Sequence, residues 1–117
     1  MAWKKFKGKY NVSSKKDRTW RGVVFDSKHE MLYAQQLELR KKAGDIANYQ
    51  MQVPYLLEVN GMKIAKYILD FLVEYPDGRL EYIDTKSRKS LVTAEFKLKQ
   101  KLMKAIYGID VVCVYQA

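Results

Sequence analysis

The stretch Tyr67-Ile68-Leu69-Asp70-Phe71-Leu72-Val73-Glu74-Tyr75-Pro76-Asp77-Gly78-Arg79-Leu80-Glu81-Tyr82-Ile83-Asp84-Thr85-Lys86 reads as two strands joined by a turn. Its flanks are rich in apolar, aromatic and β-branched residues, and Pro76-Asp77-Gly78 is turn chemistry, because proline presets φ and glycine accepts a positive one. Side chains two apart on a strand share a face, so Asp84 and Lys86 point the same way. The length of the turn decides where Asp70 goes. A three-residue loop pairs Tyr75 with Arg79 and brings Asp70 opposite Asp84, about 5 Å apart at Cβ. A two-residue loop pairs Asp70 with Thr85 and leaves Asp84 a diagonal neighbour. In either register two acids meet at the end of an apolar hairpin, which destabilises a strand pair unless a cation or a proton lies between them.

Upstream of this hairpin, Val53–Val59 reads as a strand and Asn60-Gly61 as a two-residue turn into a long strand, Lys63–Tyr75. Ser27-Lys28-His29-Glu30 is a helix start, with Ser27 as N-cap and Glu30 at the capping-box position; the helix runs to about Ala43, where Gly44 stops it. After Leu80–Lys86 comes a basic loop, Ser87–Ser90. A second helix, roughly Thr93–Tyr107, ends at Gly108, and Ile109–Tyr115 is a short apolar strand. The order helix, three-strand meander, helix, strand predicts an α/β (α+β) single-domain αβββαβ core with helices packed on the sheet. A helix joins the last two strands, so they are expected to be parallel. Trp20–Phe25 is either an additional first strand or an extended lead-in.

The whole chain has 117 residues, which suits one domain: a basic arm over 1–20 and a folded domain over 21–117. At 48% hydrophobic it can bury a core, so a disordered basic tail is excluded for the chain as a whole. A single Cys, Cys113, and a single His, His29, exclude a disulfide framework and a Cys/His metal cluster. No apolar run of membrane-spanning length occurs, and no apolar h-region follows the charged N-terminus, so the expectation is a soluble cytoplasmic protein without a membrane partner.

The net charge of +9 is segregated. Residues 1–21 carry eight Lys/Arg against one acid, residues 86–104 carry seven against one, and the remainder nets −4. Trp3, Phe6, Tyr10 and Trp20 interleave with the first block, a pattern suited to phosphate pairing and base stacking, although a solvated arm whose aromatics cover the core would look the same. Lys4, Lys5, Lys7, Lys9, Arg88, Lys89, Lys97 and Lys101 are the candidate nucleic-acid contacts.

Projecting residues 95–107 around a helix places Phe96, Leu98, Leu102, Met103, Ala105, Ile106 and Tyr107 on one arc, with Lys97, Gln100, Lys101 and Lys104 opposite. Lys99 falls inside the apolar arc, where it snorkels, pairs with Glu95 or projects into the site. With few softer ligands available, the paired acids point to magnesium, with manganese as substitute, and adjacent Lys86 suits metal-assisted phosphodiester hydrolysis.

Asp70, Asp84-Thr85-Lys86 and the upstream helical Glu30 resemble the PD-(D/E)xK nuclease superfamily. Phe25-Asp26-Ser27-Lys28-His29-Glu30, Tyr33-Ala34-Gln35-Gln36-Leu37, Tyr75-Pro76-Asp77-Gly78, Ile83-Asp84-Thr85-Lys86 and Phe96-Lys97-Leu98-Lys99 resemble more closely a phage-encoded branch of small single-domain proteins. Leu69 stands where the motif name has Pro. The resemblance implies a restriction-endonuclease-like core in which Asp70, Asp84 and the Thr85 carbonyl bind Mg²⁺ and Lys86 orients or deprotonates water. Glu30 would bind a second metal or its water, with Lys99 as an auxiliary.

The implied activity is Mg²⁺-dependent DNA cleavage leaving 5′-phosphate and 3′-hydroxyl ends, selective for branched or nicked structures, without a small-molecule cofactor, in the host bacterial cytoplasm if phage-encoded. Similar branched-DNA resolvases are homodimers, so pairing through the apolar edge Val111–Tyr115 is a further expectation. The rival expectation is a non-catalytic basic nucleic-acid-binding protein of phage replication or packaging. For Glu30 two readings stand side by side. A capping box explains it without catalysis, whereas Tyr33, Ala34 and Leu37 at i+3, i+4 and i+7 place it on the sheet-facing side of the helix.

Overall fold

The computed structural model describes residues 14–86 and 92–115. After a 3-10 turn at Lys16–Arg18, strands β1 (Thr19–Trp20) and β2 (Val23–Val24) form a small hairpin of their own. Its turn, Arg21-Gly22, has φ of 52° and 79°, the two consecutive positive values that match hairpin twist. Trp20–Phe25 therefore adds no strand to the main sheet. It serves as a lead-in whose Phe25 is buried against the first helix.

That helix, α1 (Lys28–Lys42), begins where Ser27 Oγ accepts the Glu30 N–H at 3.0 Å. It buries Glu30, Met31, Ala34 and Leu37. Strands β3 (Asn48–Val59), β4 (Met62–Glu74) and β5 (Leu80–Lys86) form an antiparallel meander; α2 (Ala94–Tyr107) then leads to β6 (Val111–Tyr115), parallel to β5, in the order β3-β4-β5-β6. β3 begins five residues earlier than its sequence suggested. It is an edge strand, so Pro54 with its missing N–H does not interrupt a ladder on the outer side.

The decisive turn has three residues. Tyr75 N–H donates to the Arg79 carbonyl at 2.9 Å, Gly78 has φ of 90°, and the ladder runs Glu74↔Leu80 through Phe71↔Ile83. On β5, Ile83 packs with Phe71, Val73 and the α1 residues Ala34 and Leu37, whereas its neighbour Tyr82 packs with Leu72, Val111 and the α2 residues Phe96 and Met103. Consecutive strand residues point to opposite faces, so the two helices cover opposite faces of the sheet.

The β3–β4 ribbon changes sides between them. Tyr49, Met51, Phe71 and Val73 belong to the core under α1, but Val53, Tyr55, Leu57, Tyr67 and Leu69 belong to the core under α2. All are odd-numbered, and a flat ribbon would hold them on one face. The switch falls at Gln52, where φ is 54°, and Asp70 across from it; the ladder passes from Met51↔Phe71 to Val53↔Leu69 without pairing these two.

On α2 the sheet-facing line is Phe96, Lys99, Gln100 and Met103, the i, i+3, i+4, i+7 set. This corrects the expected arc. Leu98 is 56% exposed, Ala105 and Tyr107 are exposed as well, and Gln100 is half-buried, its Nε2 donating to the Val111 carbonyl at 2.8 Å. The arc assumed from apolar residues alone was rotated, because helix orientation follows Phe96 and Met103, the two buried anchors.

Candidate active site

The ladder between β4 and β5 ends at Phe71↔Ile83, and the next positions are Asp70 and Asp84. Beyond it β5 continues on β6 alone, to Lys86. The Thr85 N–H, past the ladder's end, donates to Asp70 Oδ2 at 2.8 Å, and Thr85 Oγ1 donates to the same oxygen at 2.9 Å. The divergence of β4 from β5 opens a cleft of about 480 Å³, lined by both strands and by the N-terminal turns of α1 and α2. Residues from all four meet there: Ser27 and Glu30, Asp70, Asp84 and Lys86, and Lys99.

Asp84 is only 5% exposed. Lys86 Nζ lies 3.0 Å from Asp84 Oδ2 and 4.4 Å from the centre of the Phe96 ring, so the ammonium is held between a carboxylate and an aromatic face. Asp84 Oδ2 is fully buried and the buried Tyr67 hydroxyl lies beside it, neither with a hydrogen bond of full geometry, while Lys86 supplies the counter-charge.

Glu30, 2% exposed, takes part in the helix start and also lines the cleft. Oε1 accepts the Asp26 N–H at 3.1 Å, closing the helix start one residue earlier than a standard capping box, and Oε2 accepts Gln52 Nε2 at 2.5 Å. Burial pushes Asp70 and Asp84 up from 3.8 to about 6, with the Glu30 charge adding to the rise at Asp70 and the Asp70 charge adding to that at Asp84. Thr85 and Lys86 pull these two carboxyls back down without cancelling the shift. Burial raises Glu30 as well.

Among the described residues, no three His, Cys, Asp or Glu side chains are close enough to hold a metal ion between them. The acidic set available to a cation is therefore the Asp70–Asp84 pair, which main-chain oxygen or water must complete.

A family model described as "Protein of unknown function (DUF1064)" matches residues 7–115. The chain belongs to the DUF1064 family. No curated protein matches it.

Within this DUF1064 chain, the folded geometry brings Glu30, Asp70, Asp84, Thr85, Lys86 and Lys99 to one cleft. Of the three options for Lys99, it takes the last: half-buried on the sheet-facing side, it lines the cleft and forms no ion pair among the described residues. His29 is half-buried, with Nε2 3.5 Å from the Val114 carbonyl, and so ties α1 to β6. Lys97 and Lys101 are exposed on the outer side of α2. Lys4, Lys5, Lys7, Lys9, Arg88 and Lys89 lie outside the described residues. No helix among the described residues is long and apolar enough to cross a membrane.

Gln52 was missed. Gln is not a residue type that favours positive φ, so nothing local flagged the kink. The alternation Tyr49, Met51, Val53, Tyr55, Leu57 did carry a signal, because it extends the strand back through Gln52 and places it opposite Asp70.

Proposed function

We propose that this protein is a Mg²⁺-dependent DNA endonuclease of the PD-(D/E)xK type, acting on branched, nicked or recombination-intermediate DNA in phage DNA metabolism. The observation that carries this reading is the meeting of Asp70 and Asp84 at the end of the β4–β5 ladder, with Lys86 Nζ 3.0 Å from Asp84 Oδ2.

The residues fit a hard divalent cation. The donors are oxygen, both carboxyls are raised by burial in a way that a cation would relieve, and the buried Asp84 Oδ2 has no hydrogen bond of full geometry beside its ion pair with Lys86. Asp70 and Asp84 would hold the ion, with the Thr85 carbonyl as a third oxygen. A bound cation would supply Lewis-acid polarisation of the scissile phosphoryl group.

The chain's own groups do the rest. Thr85 fixes the orientation of Asp70 through two hydrogen bonds to one oxygen. Lys86, partly desolvated against Phe96, places a positive charge where it can hold the attacking water or steady the developing phosphate charge. Lys99 adds a second positive charge from α2. The N-terminal turns of both helices face the cleft with their positive dipole ends, favouring a phosphate there. Water adds to phosphorus, the bond to the 3′ oxygen breaks, and that oxygen leaves with a proton as the 3′-hydroxyl.

The test is incubation with linear, nicked, flapped and four-way DNA, with Mg²⁺ and with EDTA. Mg²⁺-dependent cleavage lost in Asp84→Ala, with DNA binding retained, is the expected result. DNA binding by the wild-type chain with no cleavage of any substrate would instead establish the rival reading, a non-catalytic DNA-binding protein.

A further inference from the structure

We propose that Gln52 is a positioning residue of this site, holding Glu30 in place through a strained backbone; this rests on the hydrolytic reading above. Gln52 is a non-glycine residue with φ of 54° in the interior of β3, and the ladder skips it. Such a conformation persists only where surrounding structure enforces it, and it tends to be found at functional sites.

The exchange of cores accounts for a bend at this level but not for the residue placed there, since Gln52 itself is exposed. Nor does the residue type, since Gly or Asn would take this φ with less strain. What the kink does is interrupt the ladder opposite Asp70 and bring Nε2 to within 2.5 Å of Glu30 Oε2. With Oε1 already accepting the Asp26 N–H, Glu30 is clamped from two elements, its own helix start and the neighbouring strand.

Both strands of the ribbon exchange one core for the other at this level, so the kink also sets the divergence of β4 from β5 that opens the cleft. Gln52 therefore acts through Glu30 and the Asp70 backbone, on the opposite side of Asp70 from Asp84. Its contribution is orientation, because its amide lies outside the cleft lining.

The experiment uses the full chain. Gln52→Gly and Gln52→Asn suit a positive φ but lack the reach to Glu30; Gln52→Glu keeps the length and sets two carboxylates against each other. Each variant is measured for cleavage in Mg²⁺, for melting temperature in EDTA, and for Mn²⁺ affinity from the metal-induced rise in melting temperature.

The proposal expects Gln52→Gly to melt at or above the wild-type temperature in EDTA while kcat falls about 10–100-fold and KM for DNA stays within about 3-fold, as when a group supporting a ligand is lost. Gln52→Asn and Gln52→Glu lose kcat to a similar degree, and Mn²⁺ raises the melting temperature of all three variants less than that of wild type. Wild-type kcat and Mn²⁺ response in Gln52→Gly would overturn the role of Gln52 and leave the hydrolytic reading standing. So would a loss of kcat matched by a loss of melting temperature in EDTA. A wild-type chain that cleaves nothing overturns both.

Discussion

Two Lys–Asp pairs in this protein have the same ammonium-to-carboxylate distance, 3.0 Å, yet they do different things. Lys104–Asp110, between the last turn of α2 and the start of β6, has side chains 60% and 77% exposed. Lys86–Asp84, in the cleft, has side chains 22% and 7% exposed. In water the charges of the first pair are already well solvated, and the attraction barely exceeds the entropy lost in holding two flexible side chains. In the cleft the carboxylate has lost its water, stands across from a second, half-buried acid, and keeps its proton up to about pH 6. Equal distance does not mean equal energy; burial and the neighbouring charges decide.

The sharpest way to separate the two pairs is to remove one acid from each. Asp84→Ala is expected to lower Mg²⁺-dependent cleavage by about 1000-fold or more, since it takes away a proposed cation ligand and strands Lys86, while DNA binding persists. Cleavage surviving in Asp84→Ala would break the comparison outright.

Next in size is the lysine. Lys86→Met keeps much of the side chain's volume against Phe96 and removes the charge, and kcat should drop about 100-fold, read from single-turnover cleavage at saturating Mg²⁺. A loss confined to DNA affinity would instead make Lys86 a phosphate contact.

Stability provides a third test, with the opposite sign. The folded protein holds a proton on Asp70 that the unfolded chain has released between about pH 4 and pH 6, so stability from this group falls as pH rises through that window. Asp70→Asn keeps an oxygen for Thr85 and removes the charge. In EDTA at pH 8 it should raise the melting temperature by about 4 °C or more, with the gain shrinking as pH falls below about 5. A destabilised Asp70→Asn at pH 8 would show that the acids are not a source of repulsion.

The smallest effect belongs to the surface pair. Asp110→Ala should change stability by about 0.5 kcal/mol or less, and less still at high salt, as measured by urea unfolding.

Much of this site was legible because its parts are local. Ser27, Gly44, Asn60-Gly61, Pro76-Asp77-Gly78 and Gly108 mark their caps and turns by steric and hydrogen-bonding preferences that act within a few residues. The face shared by Asp84 and Lys86 follows from the period of a strand. Leu98 shows the limit. Its neighbours made it look like core, but α2 turns to bury Phe96 and Met103 and leaves Leu98 in solvent. Trp20–Phe25 had strand composition, and the pairing it found was with itself.

From its sequence alone this chain determined the order of its elements, the positions of its turns, and the acids and lysine that meet in the cleft, because these depend on short-range conformational preference and on side-chain chemistry. Tertiary structure decided the three-residue register that sets Asp70 against Asp84, the burial that raises both carboxyls, the second use of Glu30 and the left-handed kink at Gln52. Each of these depends on segments distant in the chain packing together: the apolar ribbon must serve two helices on opposite faces of one sheet, and the backbone turns over where it passes from one to the other.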